Sequence, residues 1–217
     1  MINLILADTL RSKIYLKLLF KNNIKINKIL FYGTKKAFFK NINFSKTKKF
    51  FVNARKIDNP KIYNMVKKLG NYDVIFSGYP GEIVKNHKLF KYNLIHAHPG
   101  NLPYFKGSTT LYYTILNKKK ITVSVIRLNK FIDEGKILFK KNFEYPKNIR
   151  DIEGKYDAII RIKTIIQMLK QKNKNKQKKI NSNVNGKIYK PYYIAHPILR
   201  MMAMNRQKLK RIYKKYI

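Results

Sequence analysis

At 217 residues, with 45% hydrophobic and 13% aromatic residues, the chain can bury a sizeable core, which excludes a disordered protein. It has no cysteine, so disulfides and thiolate metal sites are excluded and a reducing, cytoplasmic location is expected. Met1 does not begin a signal-peptide pattern, and no apolar run approaches the roughly 20 residues needed to span a bilayer.

The net charge of +39 raises the question of nucleic-acid binding. Only 8 of the 49 basic residues are arginines, although arginine is the better bidentate ligand of phosphate. The chain is also rich in Asn, Ile, Tyr and Phe, which share AT-rich codons with lysine. We therefore attribute the charge mainly to genome composition, and expect weak, generic binding to polyanions.

The predicted elements alternate between strands and helices along the first half of the chain. Buried strands are predicted at residues 2–7, 28–32, 50–53, 74–77 and 94–97. Helices are predicted at residues 10–20, 60–69 and 108–116, the second opened by the Asn59-Pro60 cap. This alternation predicts an α/β fold with a doubly wound, mostly parallel, Rossmann-like sheet. Ligands bind such sheets at the loops that leave the carboxyl ends of the strands.

The second half predicts a hairpin, a long helix and a small basic C-terminal extension. Strands at 121–128 and 136–143 are expected to pair, and the apolar face of residues 148–169 predicts a helix. Residues 170–179 are nearly all Lys, Asn and Gln, which is typical of a solvated linker. The expected organisation is a main α/β domain at 1–169, this linker, and an extension at 180–217 that ends in a basic helix from Met201.

The most specific motif follows the fifth predicted strand and reads His-Ala-His-Pro-Gly-Asn-Leu-Pro over residues 96–103. His96 and His98 occupy alternating strand positions, so both side chains are expected on one side of the sheet. The prolines and glycine predict a rigid loop. Asp133 lies further along, in a predicted turn that ends with Gly135. Each feature alone is typical of an ordinary histidine or turn, but their spacing together favours a functional site.

These residues resemble the folate-dependent formyltransferases, which include the methionyl-tRNA, glycinamide ribonucleotide and amino-sugar enzymes. Their catalytic loop reads Asn-x-His-Pro-Ser-x-Leu-Pro, with a glycine a few positions on and a later aspartate that closes the site. The corresponding residues here are His98, Pro99, Leu102, Pro103, Gly107 and Asp133. The resemblance covers roughly residues 70 to 140. Two positions depart from the pattern: His96 stands in place of the asparagine, and Gly100 in place of the serine.

The resemblance implies formyl transfer from 10-formyltetrahydrofolate, as a co-substrate, to an amine, with no metal. It assigns catalytic roles to His98, Asp133 and His96. His98, held by Asp133, would stabilise negative charge on the formyl oxygen, and Asp133 would relay the proton that leaves the amine. His96 would donate the hydrogen bond of the missing amide. The implied pterin-binding loops comprise Gly78, Tyr79, Pro80, Gly81, Glu82 and Ile83, and Asn129, Lys130, Phe131 and Ile132.

The amine acceptor stays open between several candidates. No glycine-rich phosphate loop follows the first strand, which argues against a glycinamide ribonucleotide substrate. A small amine is expected, with a nucleotide-linked amino sugar favoured. A methionyl-tRNA substrate, bound through the basic tail at 208–215, is an alternative, and a catalytically silent folate-binding relative is another. His87 and His196 have no ligand-spaced neighbours, so no metal is implied.

Overall fold

A computed structural model of the chain describes residues 1–39, 47–146, 152–172 and 189–216, the last ten of these and residues 36–37 by their backbone only. The strands are β1 (Ile2–Ala7), β2 (Ile26–Gly33), β3 (Lys48–Asn53), β4 (Val74–Ser77), β5 (Leu94–His98), β6 (Ile121–Arg127) and β7 (Lys136–Phe143). The α-helices are α1 (Leu10–Lys21), α2 (Pro60–Val66), α3 (Thr110–Leu116), α4 (Asp157–Lys172) and α5 (Pro197–Tyr216).

The strands form one sheet in the order β3-β2-β1-β4-β5-β6-β7. The first five strands in this order are parallel, while β6 runs antiparallel to both β5 and β7. Helices cover both faces: α1, α3, α4 and α5 share one core with the sheet, and α2 shares the other. This confirms the predicted fold class, and it places the ends of β4 and β5 beside the start of α1.

Local sequence signals explain where the first helices begin. The Thr9 side chain accepts a hydrogen bond from the Ser12 amide and caps α1. The Asn59 side chain accepts a hydrogen bond from the Lys61 amide and so caps α2. Pro60 occupies the first turn, where its missing N–H costs nothing. Within the described residues, three short 3-10 helices, at Lys36–Phe39, Lys67–Leu69 and His87–Tyr92, join the main elements. The first and third of these short helices are absent from the sequence prediction.

The long helix predicted at 148–169 is wrong in its first part. A single π-helical turn, Ile152–Tyr156, precedes α4 and is kinked at Gly154, whose φ of −97° and ψ of −105° are not helical. Glycine, which lacks a Cβ, tolerates this conformation, and the regular helix begins only at Asp157. The helix then continues to Lys172, into the predicted linker. Residues 148–151 and 173–179 lie outside the described residues, so the linker and the division into domains stay predictions.

The described part of the predicted C-terminal extension, from residue 189, packs on the rest of the molecule. Ala195 and Ala203 are buried in the core that α3 shares with the sheet. Exposed apolar side chains, including Tyr193 and Ile194, lie between and beside them. Among the described helices, none is both long and apolar enough to cross a bilayer.

Candidate active site

The candidate site lies where β5 ends at His98 and is completed by the turn between β6 and β7. Arg127, at the end of β6, pairs with Ile95 near the start of β5, so the turn leaves the sheet at the far end of β5 from His98. The turn must therefore fold back along β5 for Asp133 to approach His98. Asp133 takes a left-handed φ of 55° within this turn, a conformation that aspartate tolerates better than most residues.

His98 and Asp133 form a buried pair. The distance from His98 Nδ1 to Asp133 Oδ1 is 3.3 Å, with side-chain exposures of 4% and 14%. The second carboxylate oxygen, Asp133 Oδ2, accepts a hydrogen bond of 2.8 Å from the Gly107 amide. On the other side of the ring, His98 Nε2 lies 2.6 Å from the Phe105 carbonyl oxygen. Because both ring nitrogens face oxygen acceptors, a ring with protons on both nitrogens satisfies the two contacts.

The loop after His98 is fixed by buried hydrogen bonds. The Thr110 hydroxyl donates to the Pro99 carbonyl at 2.6 Å, and the Ser124 hydroxyl donates to the Gly100 carbonyl at 2.7 Å. The Leu102 amide in turn donates to the Ser124 hydroxyl oxygen at 3.1 Å. The Leu102 side chain packs in a small core with Ile126 and Ile137, ahead of the half-buried Pro103. The loop is therefore held to β6 and α3 from both sides.

Gly100, at the position of the family serine, is required by close packing. A Cβ atom at this position would lie 2.3 Å from the Phe105 carbonyl oxygen and 2.6 Å from His98 Nε2. Both distances are far below van der Waals contact, and the first involves backbone that cannot simply rotate away. The glycine therefore permits the contact between Phe105 and the His98 ring.

His96 has a different environment, although it is only two residues away on the same strand. Its Nδ1 lies 3.4 Å from the Phe76 carbonyl oxygen, and its Nε2 lies 3.3 Å from Nη1 of Arg161. Burial lowers the pKa of His96 well below 6.5, and the nearby charges of Arg161, Arg11 and His98 lower it further. The ring is therefore neutral at pH 7, with Nδ1–H facing the carbonyl and the Nε2 lone pair facing the guanidinium.

A buried charge network beside His96 was missed at the sequence level. Arg161 Nε lies 2.8 Å from Asp157 Oδ1, and Nη1 donates to the Ala97 carbonyl at 2.7 Å. The other Asp157 oxygen lies 3.8 Å from Arg11 Nη1, while Arg11 Nη2 donates to the Gly78 carbonyl at 2.6 Å. The i,i+4 spacing of Asp157 and Arg161 signals their own pairing. No local pattern signals that they reach β4 and β5.

The first predicted pterin loop is organised by Glu82. Its Oε1 accepts a hydrogen bond from the Ile57 amide at 2.6 Å. Its Oε2 accepts bonds from the Tyr79 amide at 2.8 Å and from the Tyr32 hydroxyl at 2.5 Å. Glu82 therefore ties the loop to its neighbours. The Tyr79 hydroxyl donates to the Asp8 carboxylate.

The rest of this loop is tightly packed at Gly78 and exposed to solvent at its tip. Gly78 is buried, and a Cβ added to it would lie 2.4 Å from Glu82 Oε2. Pro80 and Gly81 are exposed at the tip, and Ile83 is 50% exposed. The loop therefore offers backbone and apolar surface more than free polar side chains.

The second predicted pterin loop exposes two large apolar side chains, Phe131 at 55% and Ile132 at 44%. The Asn129 side chain closes the turn, since it accepts from the Phe131 amide at 3.0 Å and donates to the Glu134 carbonyl at 3.2 Å. Lys130 Nζ lies 5.0 Å from the centre of the Phe131 ring. Apolar surface is therefore exposed on both predicted pterin loops.

Other histidines and acids do not assemble into a further site within the described residues. His87 and His196 are exposed. No group of three or more His, Asp or Glu side chains suited to hold a metal is found in the described parts of the chain. A groove of about 350 Å³ is lined by residues of α1 and α4 and by Lys141 of β7, and neither His98 nor Asp133 lines it.

Sequence comparison finds relatives over part of the chain. No family model matches it. Over 94 residues it is 33% identical to the methionyl-tRNA formyltransferase of Rickettsia rickettsii, a match that spans 42% of this chain and 31% of that protein. The matched part of this chain thus spans less than a third of the length of that curated relative.

Comparison of folds extends the likeness to most of the chain. A sugar N-formyltransferase from a Shewanella species superposes with a TM-score of 0.60 at 15% identity, over 95% of this chain and 87% of that one. A formyltransferase from Anoxybacillus kamchatkensis, in complex with UDP-4,6-dideoxy-4-formamido-L-AltNAc and tetrahydrofolate, superposes with a TM-score of 0.50 at 19% identity, over 76% and 86%. In its motif, in sequence over 42% of the chain, and in fold over most of its length, the chain resembles the formyltransferases.

Proposed function

We propose that this chain transfers a formyl group from 10-formyltetrahydrofolate to a primary amine. The observation that carries the proposal is the buried pair formed by His98 Nδ1 and Asp133 Oδ1 at 3.3 Å. These residues lie 35 positions apart, and the turn has to fold back along β5 to bring them together. A buried imidazole in contact with a partly buried carboxylate, at the carboxyl end of β5, suits acid–base chemistry.

His98 is proposed to stabilise the negative charge that develops on the formyl oxygen when an amine attacks the carbonyl carbon. Its ring is held by oxygens on both nitrogens, so its position is fixed before the substrates bind. Donation from Nε2 to the formyl oxygen would replace its contact with the Phe105 carbonyl, and one such donor typically contributes ~10²–10³ in rate. The Asp133 carboxylate keeps the ring oriented and is the nearest proton acceptor for the attacking amine.

The formyl donor is proposed to bind between the loops at 78–83 and 129–132. Their exposed apolar side chains, Ile83, Phe131 and Ile132, suit the flat face of a pterin, and their backbone groups suit its polar edge. The donor supplies the formyl group, and the chain's own residues orient it and exclude water. The tetrahydrofolate bound to the Anoxybacillus relative supports this choice of donor.

His96 is proposed to act as the second hydrogen-bond donor to the formyl oxygen. In the absence of substrate its Nδ1 faces the Phe76 carbonyl at 3.4 Å, which is a long contact. The neutral ring can exchange this contact for one to the substrate, while Nε2 keeps the guanidinium of Arg161. The role therefore requires a change of partner at Nδ1, just as donation from His98 requires Nε2 to leave the Phe105 carbonyl oxygen at 2.6 Å.

The acceptor is proposed to be an amino sugar on a nucleotide carrier. The Shewanella sugar N-formyltransferase matches this chain over 95% of its length and is covered over 87% of its own. By the same comparison of folds, a methionyl-tRNA formyltransferase from Clostridium thermocellum is covered over 74% of its length, also at 15% identity. A methionyl-tRNA substrate is the second candidate, since the Rickettsia enzyme shares sequence identity and the net charge of +39 favours a polyanion.

The test is a formyl-transfer assay with 10-formyltetrahydrofolate and three acceptors: a UDP-linked 4-amino sugar, methionyl-tRNA and glycinamide ribonucleotide. We expect the sugar to be formylated fastest, and His98→Ala to lose at least about 100-fold in kcat/KM. His87→Ala, which replaces an exposed histidine, is the control and should retain full activity.

Two results would separate the alternatives. Faster formylation of methionyl-tRNA, with binding that persists as a specific preference at physiological salt, would replace the sugar by tRNA. Binding of a tetrahydrofolate analogue with no formylation of any acceptor would identify a catalytically silent relative and overturn the proposed activity.

A further inference from the structure

The segment after residue 188 joins the loop that holds the His98–Asp133 pair. The Tyr192 amide donates to the Lys106 carbonyl at 2.8 Å, and the Ser108 amide donates to the Tyr192 carbonyl at 2.9 Å. These two bonds enclose Gly107, which pairs with Tyr192 as an isolated parallel bridge. The C-terminal segment thus adds a short strand-like contact to the loop.

Gly107 allows this approach because it has no side chain. A Cβ atom at Gly107 would lie 2.2 Å from the Tyr192 carbonyl oxygen and 2.7 Å from its nitrogen. Its φ of 91° is also a conformation that residues with a side chain rarely adopt. The glycine of the motif therefore makes room for the C-terminal segment.

The Tyr192 side chain also packs against this loop. Its ring stacks on Phe105 at 5.7 Å between ring centres, with an interplanar angle of 13°. It also stacks on Tyr113 of α3 at 4.3 Å and 27°. Stacked aromatic pairs add stability beyond the area they bury. Tyr192 therefore links the loop to α3 through both its backbone and its ring.

The residues that Tyr192 holds are those that hold the candidate catalytic pair. The Phe105 carbonyl lies 2.6 Å from His98 Nε2, and the Gly107 amide donates to Asp133 Oδ2 at 2.8 Å. We propose that Tyr192 is a positioning residue, and that the C-terminal segment at 189–196 fixes the geometry of the His98–Asp133 pair by holding residues 105–108. In its effect on catalysis this rests on the proposed function.

Neighbouring contacts fix the segment and provide a control. The Ala195 amide donates to the Thr109 hydroxyl oxygen at 2.8 Å, so the segment is anchored beyond Tyr192. Tyr193 is 88% exposed, and its side chain takes no part in this packing. The two tyrosines are adjacent in the chain and differ in whether the ring meets the loop.

The kinetic test compares Tyr192→Ala, Tyr192→Phe and Tyr193→Ala in the full chain. We expect Tyr192→Ala to lower kcat about 10- to 100-fold while KM for the formyl donor changes less than about threefold, because small misplacement of reacting groups affects the chemical step most. Tyr192→Phe, which keeps the stacked ring, should restore kcat to within about twofold. Tyr193→Ala should match the wild type. A kcat of Tyr192→Ala within about twofold of wild type would overturn the proposal.

Amide hydrogen exchange provides a readout that does not depend on catalysis. In Tyr192→Ala we expect exchange at Gly107 and Ser108 to rise at least about tenfold, while the amides of β1 keep their protection. Unchanged exchange at both loop amides would overturn the positioning role even if the assay detects no formyl transfer. A wild type without formyl transfer but with the expected exchange would instead overturn the proposed function and leave the positioning role supported. If Tyr192→Ala also loses protection in β1, the test is repeated with Tyr192→Leu, which keeps an apolar side chain. Exchange at Gly107 and Ser108 is then compared with exchange in β1 in the same way.

Discussion

His96 and His98 are two residues apart on β5, yet their rings contact groups of different charge. The His98 ring faces a carboxylate at Nδ1 and a carbonyl at Nε2, so both of its nitrogens meet oxygen acceptors. The His96 ring faces a carbonyl at Nδ1 and the Arg161 guanidinium at Nε2. Burial and this cation lower the pKa of His96 well below 6.5, so it carries no charge at pH 7.

The comparison shows that the neighbours, more than the residue type, decide what each histidine can do. A ring between two acceptors is suited to stabilise negative charge, and a neutral ring beside a cation is suited to donate one hydrogen bond. Asp133 and Arg161 produce this difference, and each comes from a separate element, the β6–β7 turn and α4. Removing either group should therefore affect one histidine and leave the other.

The largest expected effect is on stability, from Arg161→Met. The change leaves the Asp157 carboxylate, whose side chain is 9% exposed, with only the more distant Arg11 at 3.8 Å. Loss of one partner of a buried pair typically costs about 3–5 kcal/mol, which urea unfolding would measure. Lys163→Met, which removes an exposed cation from the same helix, should cost less than about 0.5 kcal/mol. Equal losses in the two variants would contradict the importance of the buried network.

The next largest effect is on catalysis, from Asp133→Asn. The amide keeps the size of the carboxylate but removes its charge, so His98 loses its ionic partner while Gly107 can still donate to an oxygen. We expect kcat/KM to fall about 10²–10³-fold, measured in the formyl-transfer assay. Glu134→Gln removes the adjacent carboxylate, which pairs with Lys106 and is far more exposed, and should cost less than tenfold. An Asp133→Asn enzyme with full activity would remove Asp133 from the mechanism.

The sheet was predictable because its signals are local. Short apolar runs such as Ile2–Ala7 and Val74–Ser77 are bounded by caps and turn residues, and their alternation with helices indicates a parallel sheet. The helix at 148–169 was predicted too long because one apolar face continues across Gly154, while the kink depends on that residue's backbone. The short helix His87–Tyr92 was not predicted because its six residues are too few to show a helical repeat of apolar positions.

The site was predictable only in part. The spacing of His98 and Asp133, with the family resemblance, indicated their convergence, but the fold-back of the turn along β5 could not be inferred from spacing. The Arg11–Asp157–Arg161 network joins α1 and α4 to the ends of β4 and β5. The contact of Tyr192 with the loop after His98 spans more than 80 positions of the chain. Tertiary contacts of this kind leave no periodic pattern in the sequence.

A smaller effect concerns the pH dependence of stability. Because the pKa of His96 is lower in the folded protein than the 6.5 of an ordinary histidine, the unfolded chain binds the proton first as the pH falls. The stability that His96 contributes is complete above 6.5 and is lost below it, by up to about 1.4 kcal/mol per pH unit, until the folded pKa is reached. Replacing His96 by asparagine should flatten this slope between about pH 6.5 and 5 in urea unfolding. His87→Asn, at an exposed position, should leave the slope unchanged.

The smallest effect expected is that of His96→Asn on activity, and it tests the comparison most directly. Asparagine restores the amide of the resembled family and can donate the same hydrogen bond to the formyl oxygen, so kcat/KM should stay within about tenfold of wild type, or ~1.4 kcal/mol. The shorter amide also releases Arg161 from its contact at 3.3 Å, but the guanidinium keeps Asp157 and the Ala97 carbonyl. His96→Leu, which has no donor, should lose more than His96→Asn if the ring acts as a donor. Equal activities of the two variants would show that His96 only fills space beside Phe76, and the chemistry would then depend on the His98–Asp133 pair alone.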